Sequence, residues 1–222
     1  MPSLLAAEIR TCFNFVVSAV PNDARFEVTG SNPDTALARS QAARRRRVLD
    51  ATLRLASEGG FDAVQMRDVA AAADVALGTV YRYFSSKERL LLEAMAEQQA
   101  DLRAYLQQHP APGDTAAERV NNVLRRANRA LKRHPDVTAA MVRAFGSARP
   151  EDADIVRRVS EIMTDVITTA IHGDSKANTH DLHVARVLTL VWNSSLVGWV
   201  GGVDHADRVD EDLEIAAHLL LD

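Results

Sequence analysis

Between Val75 and Leu91 the chain reads VALGTVYRYFSSKERLL, which sets Tyr81, Tyr83 and Phe84 beside Arg82, Lys87 and Arg89 around Gly78. Aromatic residues make up only 5% of the protein, so this cluster is a local concentration. Phenolic hydroxyls and ammonium groups suit phosphate oxygens, while Thr79 and Arg82 have the reach and donor chemistry for base edges in a major groove. Gly78 has no side chain, so the start of its helix can approach a phosphate closely and offer it backbone N–H groups. Helical spacing turns Val75, Val80 and Phe84 inward and Thr79, Arg82 and Tyr83 outward, with Tyr81 at the margin. The chemistry indicated is DNA recognition, by an element packed on one side and adhesive to DNA on the other.

The charge distribution supports that reading. The net charge is −4, yet residues 39–89 carry ten Lys or Arg against six acids, while residues 90–222 carry fourteen against twenty. A basic segment on an acidic body is the footprint of a small DNA-reading head. Arg44, Arg45, Arg46 and Arg47 stand at the expected start of the first helix and read as an arm for phosphates or a narrow minor groove, with solubilising charge as the plainer alternative. Gln65 and Arg67, around the start of the second helix, complete the candidate DNA-contact set.

The elements that must position these residues are helical throughout. Residues 1–38 read as a flexible extension, because PNDARFEVTGSNPDTALA lacks an apolar period. Ordered structure is expected from near Arg39, with a head to residue 92 and a body over 93–222. QAARRRRVLDATLRLASEGG places Val48, Leu49, Thr52, Leu55 and Ala56 on one face and stops at Gly59-Gly60. A short helix over MRDVAAAA, a turn at 74–77 and a helix over 78–84 then form a helix-turn-helix. Ser85 and Glu88 are spaced as a capping box for a long fourth helix, as are Thr115 and Glu118 for the next. Pro135 and Pro150 mark later starts, Gly173 and Gly201-Gly202 later stops, giving roughly nine helices and no strand.

GGFDAVQMRDVAAAADVALGTVYRYFSSKERLL resembles the DNA-binding domain of the TetR family of bacterial transcriptional regulators. The family's fixed residues are met by Ala73, Val75, Gly78, Tyr81, Phe84, Lys87 and Leu90. The resemblance implies that Thr79, Tyr81, Arg82, Tyr83 and Lys87 contact DNA, and that the rest of the chain is a helical ligand-binding and dimerisation domain. Gln65, Asp74 and Ala76 depart from the family's usual capping threonine, turn glycine and capping serine. Gln and Ala are weak caps, at a cost of about 1 kcal/mol each.

In the body, helical spacing lets Met141, Phe145, Ile155, Val159, Met163, Ile167, Leu190, Trp192 and Trp199 face one interior. An elongated apolar effector pocket is expected around Met141, Phe145, Met163, Ile167, Trp192, Leu196 and Trp199, with Asn193 or Ser194 as polar contacts. RVNNVLRRANRALKRHPDVTAAMVRAF and HVARVLTLVWNSSLVGWV resemble a subgroup of the family that represses cholesterol catabolism. That resemblance implies a steroid-derived acyl-CoA thioester as effector. The helices 179–200 and 207–221 are apolar enough to pair two copies, so a homodimer on a palindromic double-stranded DNA operator is expected.

Other classes fit less well. His180, Asp181 and His183 with Asp204 and His205 suggest a metal-dependent enzyme, but only two candidate ligands stand together and no nucleophile motif accompanies them. No metal or other cofactor is expected. An interaction module with a vestigial head is opposed by Gly78, Tyr81 and Lys87 standing together. Cys12 is the only cysteine, so no intrachain disulfide forms and a reducing, cytoplasmic setting is expected. Glu8 and Arg10 interrupt the apolar run near the start, which argues against a signal peptide or membrane span.

Overall fold

Ala, Leu and Arg, which lose little conformational freedom in a helix, are among the most frequent residues, and helices account for most of the described residues. The computed structural model describes residues 33–222 except 174 and 175, with side chains from residue 38 onward. The expectations for Cys12, for the apolar run near the start and for the extension as far as residue 32 lie outside the described residues. The helices are α1 (Pro33–Ala63), α2 (Met66–Ala72), α3 (Leu77–Tyr83), α4 (Lys87–Gln108), α5 (Ala116–Arg133), α6 (Pro135–Gly146), α7 (Ala153–His172), α8 (Thr179–Val200) and α9 (Arg208–Leu221). A 3-10 turn at Pro150–Asp152 precedes α7, and the described residues form no strand. None of their helices is long and apolar enough to cross a membrane.

Several boundaries follow from local chemistry. Thr115 Oγ1 accepts from the Glu118 N–H at 3.2 Å while the Glu118 carboxylate accepts from the Thr115 N–H at 3.2 Å, a closed capping box. Pro135 is the first residue of α6, where a missing N–H costs nothing. α1 is interrupted at Gly60, whose φ of 63° is open to glycine at little cost. Two boundaries differ from expectation. α1 begins at Pro33 rather than near Arg39, so residues 33–38 are helical and Arg44–Arg47 lie well inside the helix, away from its positive end. The cap of α4 is Ser86, not Ser85: α3 ends at Tyr83, Phe84 and Ser85 form the link, and Ser86 Oγ accepts from the Arg89 N–H at 3.1 Å. Glu88 is then one position too early to complete a box.

Two cores form instead of one body interior. The first joins α1–α3 and the start of α4 to α6 and the start of α7, with Met141, Ile155 and Val159 packed against the head. The second lies among α4, α5, α7, α8 and α9, and holds Met163, Ile167 and Trp192. Leu190 belongs to neither and is 59% exposed. α1 packs along α6, so the head rests on the body through a helix-to-helix contact.

Ser86→Ala should lower stability by about 1 kcal/mol in urea denaturation, while Ser85→Ala changes it by no more than a few tenths.

Candidate functional site

The two-helix unit is held from inside by Val69, Val80 and Phe84, each at most 1% exposed. Its turn passes through Asp74, a non-glycine residue at φ 53°, and closes with the Val75 N–H donating to Ala70 O at 3.0 Å. Neither Gln65 nor Ala76 makes a side-chain cap, and Gln65 Nε2 donates instead to Asp62 O at 2.9 Å. On the outer side Leu77, Gly78, Tyr81 and Arg82 are exposed, Tyr81 by 53%. A Cβ on Gly78 would meet nothing within 4 Å, so nothing inside the protein requires a glycine there.

Tyr83 is a correction: it is half-buried against the head core, its ring centroid 6.2 Å from that of Phe84 and its hydroxyl buried without a partner. Residues three and four after Val80 share its face, so Tyr83 and Phe84 turn inward together, leaving Tyr81 and Arg82 outward. Arg82 lies over the Tyr83 ring at 5.2 Å, which steadies the guanidinium on the outer surface. Lys87 is half-buried, 4.0 Å from the Phe61 ring centroid, with Nζ donating to Phe61 O at 3.4 Å.

The four arginines do not act together. Successive helical residues point about 100° apart, and Arg44, Arg46 and Arg47 are exposed while Arg45 turns toward α4. Arg47 Nε donates to Ala73 O at 3.3 Å, at the end of α2. Arg45 stacks 5.6 Å from the Phe84 ring centroid and pairs with Glu93 at 2.6 Å and with Glu97. It belongs to the head–body junction and is withdrawn from the DNA-contact set.

Glu93, 7% exposed, is the centre of that junction. It meets Arg45 from α1, Arg158 from α7 and, at 3.9 Å, Arg89 from its own helix. Arg89 also reaches Asp154 at 2.8 Å and Asp152 at 3.7 Å. The hydrogen bond to Asp154 raises the Arg89 pKa and holds the Asp154 carboxyl below the usual carboxylate range. Nearby, Arg143 on α6 pairs with Asp62 at 3.0 Å and lies 4.4 Å from the Phe61 ring centroid. Sequence reasoning missed Glu93, although a carboxylate in the run Leu90, Leu91, Leu92, Glu93, Ala94 was a visible anomaly.

The body contains cavities, placed differently from expectation. A central one of about 30 Å³ lies among α4, α5, α6 and α8, lined in part by Gln99, Leu102, Met141, Trp192 and Leu196. A smaller hollow beside it shares Gln98, Leu131, Thr138 and Met141 and is flanked by His134. The larger cavity, about 280 Å³, lies among α4, α5 and α7, with Leu106, Val123 and Val166 in its wall and Arg103 and Arg119 beside it. Of the expected pocket residues, Met141, Trp192 and Leu196 line these cavities. Met163 and Ile167 are consumed in core packing, and Phe145 packs against the head core. Trp199 lies almost a turn beyond Leu196, Asn193 is half-buried away from the cavity walls, and Ser194 is exposed. The polar residues at the cavity are Gln98, Gln99 and Thr138 instead. Gln99 falls four residues after Met95 on an apolar face, a signal the sequence carried.

Trp192 is fixed by a polar chain. Its Nε1 donates to Asn128 Oδ1 at 2.7 Å, and Asn128 Nδ2 donates to Asp210 Oδ1 on α9 at 2.6 Å. Lys132 closes the chain by donating to Asp210 and Asp207 at 2.6 and 2.7 Å. Burial draws the Lys132 pKa down, but these two carboxylates outweigh it and raise it overall, while Lys132 lowers that of Asp207. Burial and then the charge of Arg133 lower the His134 pKa. His180 and His183 are exposed at the start of α8, and Asp181 closes a capping box with Asn178. Among the described residues no three His, Cys, Asp or Glu side chains gather as a metal site.

Comparison with known proteins gives this arrangement a context. Residues 48–94 match the family model described as bacterial regulatory proteins, tetR family, and residues 113–220 match the model described as tetracyclin repressor-like, C-terminal domain. The chain is 40% identical over 182 residues to the HTH-type transcriptional repressor KstR of Mycolicibacterium smegmatis, covering 82% of this chain and 89% of that one. A TetR transcriptional regulator from Rhodococcus sp. RHA1 superposes with a TM-score of 0.74 at 30% identity, over 82% of this chain and 97% of the other. The FadR repressor of Thermus thermophilus, solved with lauroyl-CoA, shares the fold at a TM-score of 0.63 and 23% identity, over 79% and 92% of the two chains. The matched proteins are regulators rather than enzymes.

Gly78→Ala should raise stability by up to about 1 kcal/mol, because alanine favours a helix and has room, yet weaken DNA binding about tenfold by holding a phosphate off. Calorimetry and a DNA titration on one preparation check both halves. Glu93→Gln keeps shape but removes the charge, and should cost about 1–2 kcal/mol in urea denaturation, a value reduced because Arg45 and Arg158 are partly solvated.

Proposed function

The chain belongs to the TetR family of bacterial transcriptional regulators and is a repressor like KstR, and from that premise we propose that it binds a palindromic operator as a homodimer and lets go when a bulky hydrophobic effector, a steroid-derived acyl-CoA thioester, enters the body. The observation that carries this reading is the position of α6. Met141 is both a wall of the central cavity and a member of the core shared with the head, and α6 packs along α1. A ligand that widens the cavity must therefore move the surface on which the head rests.

The cavity sizes support such movement. Ligand pockets hold roughly 300–1,000 Å³, whereas the central cavity is about 30 Å³ and the larger one about 280 Å³. A rigid polycyclic ligand enters by parting α4 and α5 from their neighbours and joining the two spaces. Arg103 and Arg119 then stand beside the outer space, where a thioester's phosphates would lie. Arg119 already donates to Ala170 O and Ile171 O at 2.9 and 2.7 Å, which holds its cation at the end of α7.

DNA contact is assigned to Gly78, Thr79, Tyr81, Arg82 and Lys87, with Gln65, Arg67, Arg44, Arg46 and Arg47 flanking. Leu182, Leu190 and Val197 on α8, and Ile215 and Leu219 on α9, are each 49% or more exposed. Their spacing forms apolar stripes on the two helices, the surface that pairs two copies and sets two heads on one operator. The site of action is the cytoplasm, and sterol or lipid catabolism genes are the targets.

The test is binding to a labelled palindromic operator selected from random DNA, with and without a steroid acyl-CoA thioester. Wild-type protein is expected to bind as a dimer and to be released by the thioester, and Leu190→Glu to be monomeric in ultracentrifugation with its tight binding lost. Binding that persists at saturating thioester discards that effector; absence of any sequence preference discards the operator reading.

A further inference from the structure

One cation of the head is held in place without being neutralised. Lys87 is the first residue of α4, where the positive end of the helix disfavours a cation. Arg45, Arg89 and Lys132 are each spent on carboxylates, whereas Lys87 is met by neutral groups. Its Nζ stands 4.0 Å from the Phe61 ring centroid and donates to Phe61 O at 3.4 Å. Among the described residues no carboxylate pairs with it. The break in α1 brings Phe61 to this place: Gly60 takes a φ of 63°, and Phe61, 26 residues before Lys87, is only 9% exposed. The body flanks the ring as well, since Arg143 of α6 lies 4.4 Å from its centroid and is tied to Asp62 at 3.0 Å.

We infer that Phe61 is a positioning residue for DNA binding, its ring and carbonyl holding the Lys87 ammonium in place for one DNA phosphate per head. This rests on the assignment of Lys87 to DNA contact above and adds what makes that contact effective. A lysine extended into solvent has many rotamers to lose when it meets a phosphate, whereas a side chain already held gives up fewer. A ring face attracts an ammonium through its quadrupole and a carbonyl through its dipole, and neither cancels the charge. A carboxylate in the same place would also hold the ammonium, but it would compete with the phosphate. Phe61 acts through Lys87 and needs no contact with DNA of its own.

A double-mutant cycle on the full chain tests it, with binding titrated by fluorescence anisotropy over a series of salt concentrations. The probes are the selected operator and a random duplex of the same length, because a phosphate contact is independent of sequence. Lys87→Gln should weaken binding to both and lower the salt slope by about 0.9 per head. Phe61→Leu keeps an apolar filling but loses the ring face, and should weaken both about tenfold with the salt slope unchanged, since the charge remains. Phe61→Tyr keeps the ring and should bind within about twofold of wild type. In the Lys87→Gln background, Phe61→Leu should cost less than about twofold more, because the group it positions is gone. Phe61→Met repeats the measurement if the leucine variant melts early. Wild-type affinity in Phe61→Leu, or an equal loss with and without Lys87, overturns the role of Phe61 and leaves the Lys87 contact standing. Unchanged affinity and salt slope in Lys87→Gln remove that contact and this inference together.

Discussion

Glu93 is the constraint on which the arrangement of this protein depends. A carboxylate taken out of water is costly unless its charge and lone pairs are met. Here the partners come from different elements: Arg45 from the head helix, Arg89 from its own helix and Arg158 from the body. The electrostatic need of one residue therefore locates three helices relative to one another. Arg89 extends the restraint to Asp152 and Asp154, fastening the start of α7 as well. Because the partner arginines are 21–49% exposed, the cluster is accessible to water and open to rearrangement in a way an apolar contact is not.

Beside this ionic joint runs an apolar one. α6 gives Val137, Ala140 and Ala144 to the core it shares with the head, and Met141 to that core and to the cavity wall. Close-packed interiors do not deform continuously; they move between discrete packings. A ligand shifts such an equilibrium only through different affinity for the two packings. Under the effector reading proposed above, volume would supply that difference, since the central cavity of about 30 Å³ is too small for a bulky ligand.

A second line of restraint runs toward the face of α8 and α9 proposed above to pair two copies. Trp192, Asn128, Asp210 and Lys132 form a connected polar chain across α8, α5 and α9. The wall of the cavity and the helix that carries Ile215 and Leu219 are thereby held in one rigid network.

The recognition unit was legible in the residues because its determinants are local. Val75, Gly78, Tyr81 and Phe84 lie within three turns of one another, and the Thr115–Glu118 cap needs only four consecutive residues. Where a local signal depended on its neighbours it slipped: Ser86 caps α4 because α3 ends at Tyr83, and the pair Ser85-Glu88 does not record where that helix stops. Helical rotation implied that Arg44–Arg47 diverge, and an acid among leucines marked Glu93 as unusual, but their meeting across 48 residues is a tertiary fact. The cavities belong wholly to that level. A hollow exists where side chains from several helices fail to touch, so Met141 and Trp192 line one while Met163 and Ile167, of the same chemical type, fill a core. Sequence alone determined the all-helical class, the helix-turn-helix unit and the family resemblance, since these rest on neighbours along the chain. Tertiary structure decided which charges pair and which apolar residues leave space, since these depend on residues brought together only by folding.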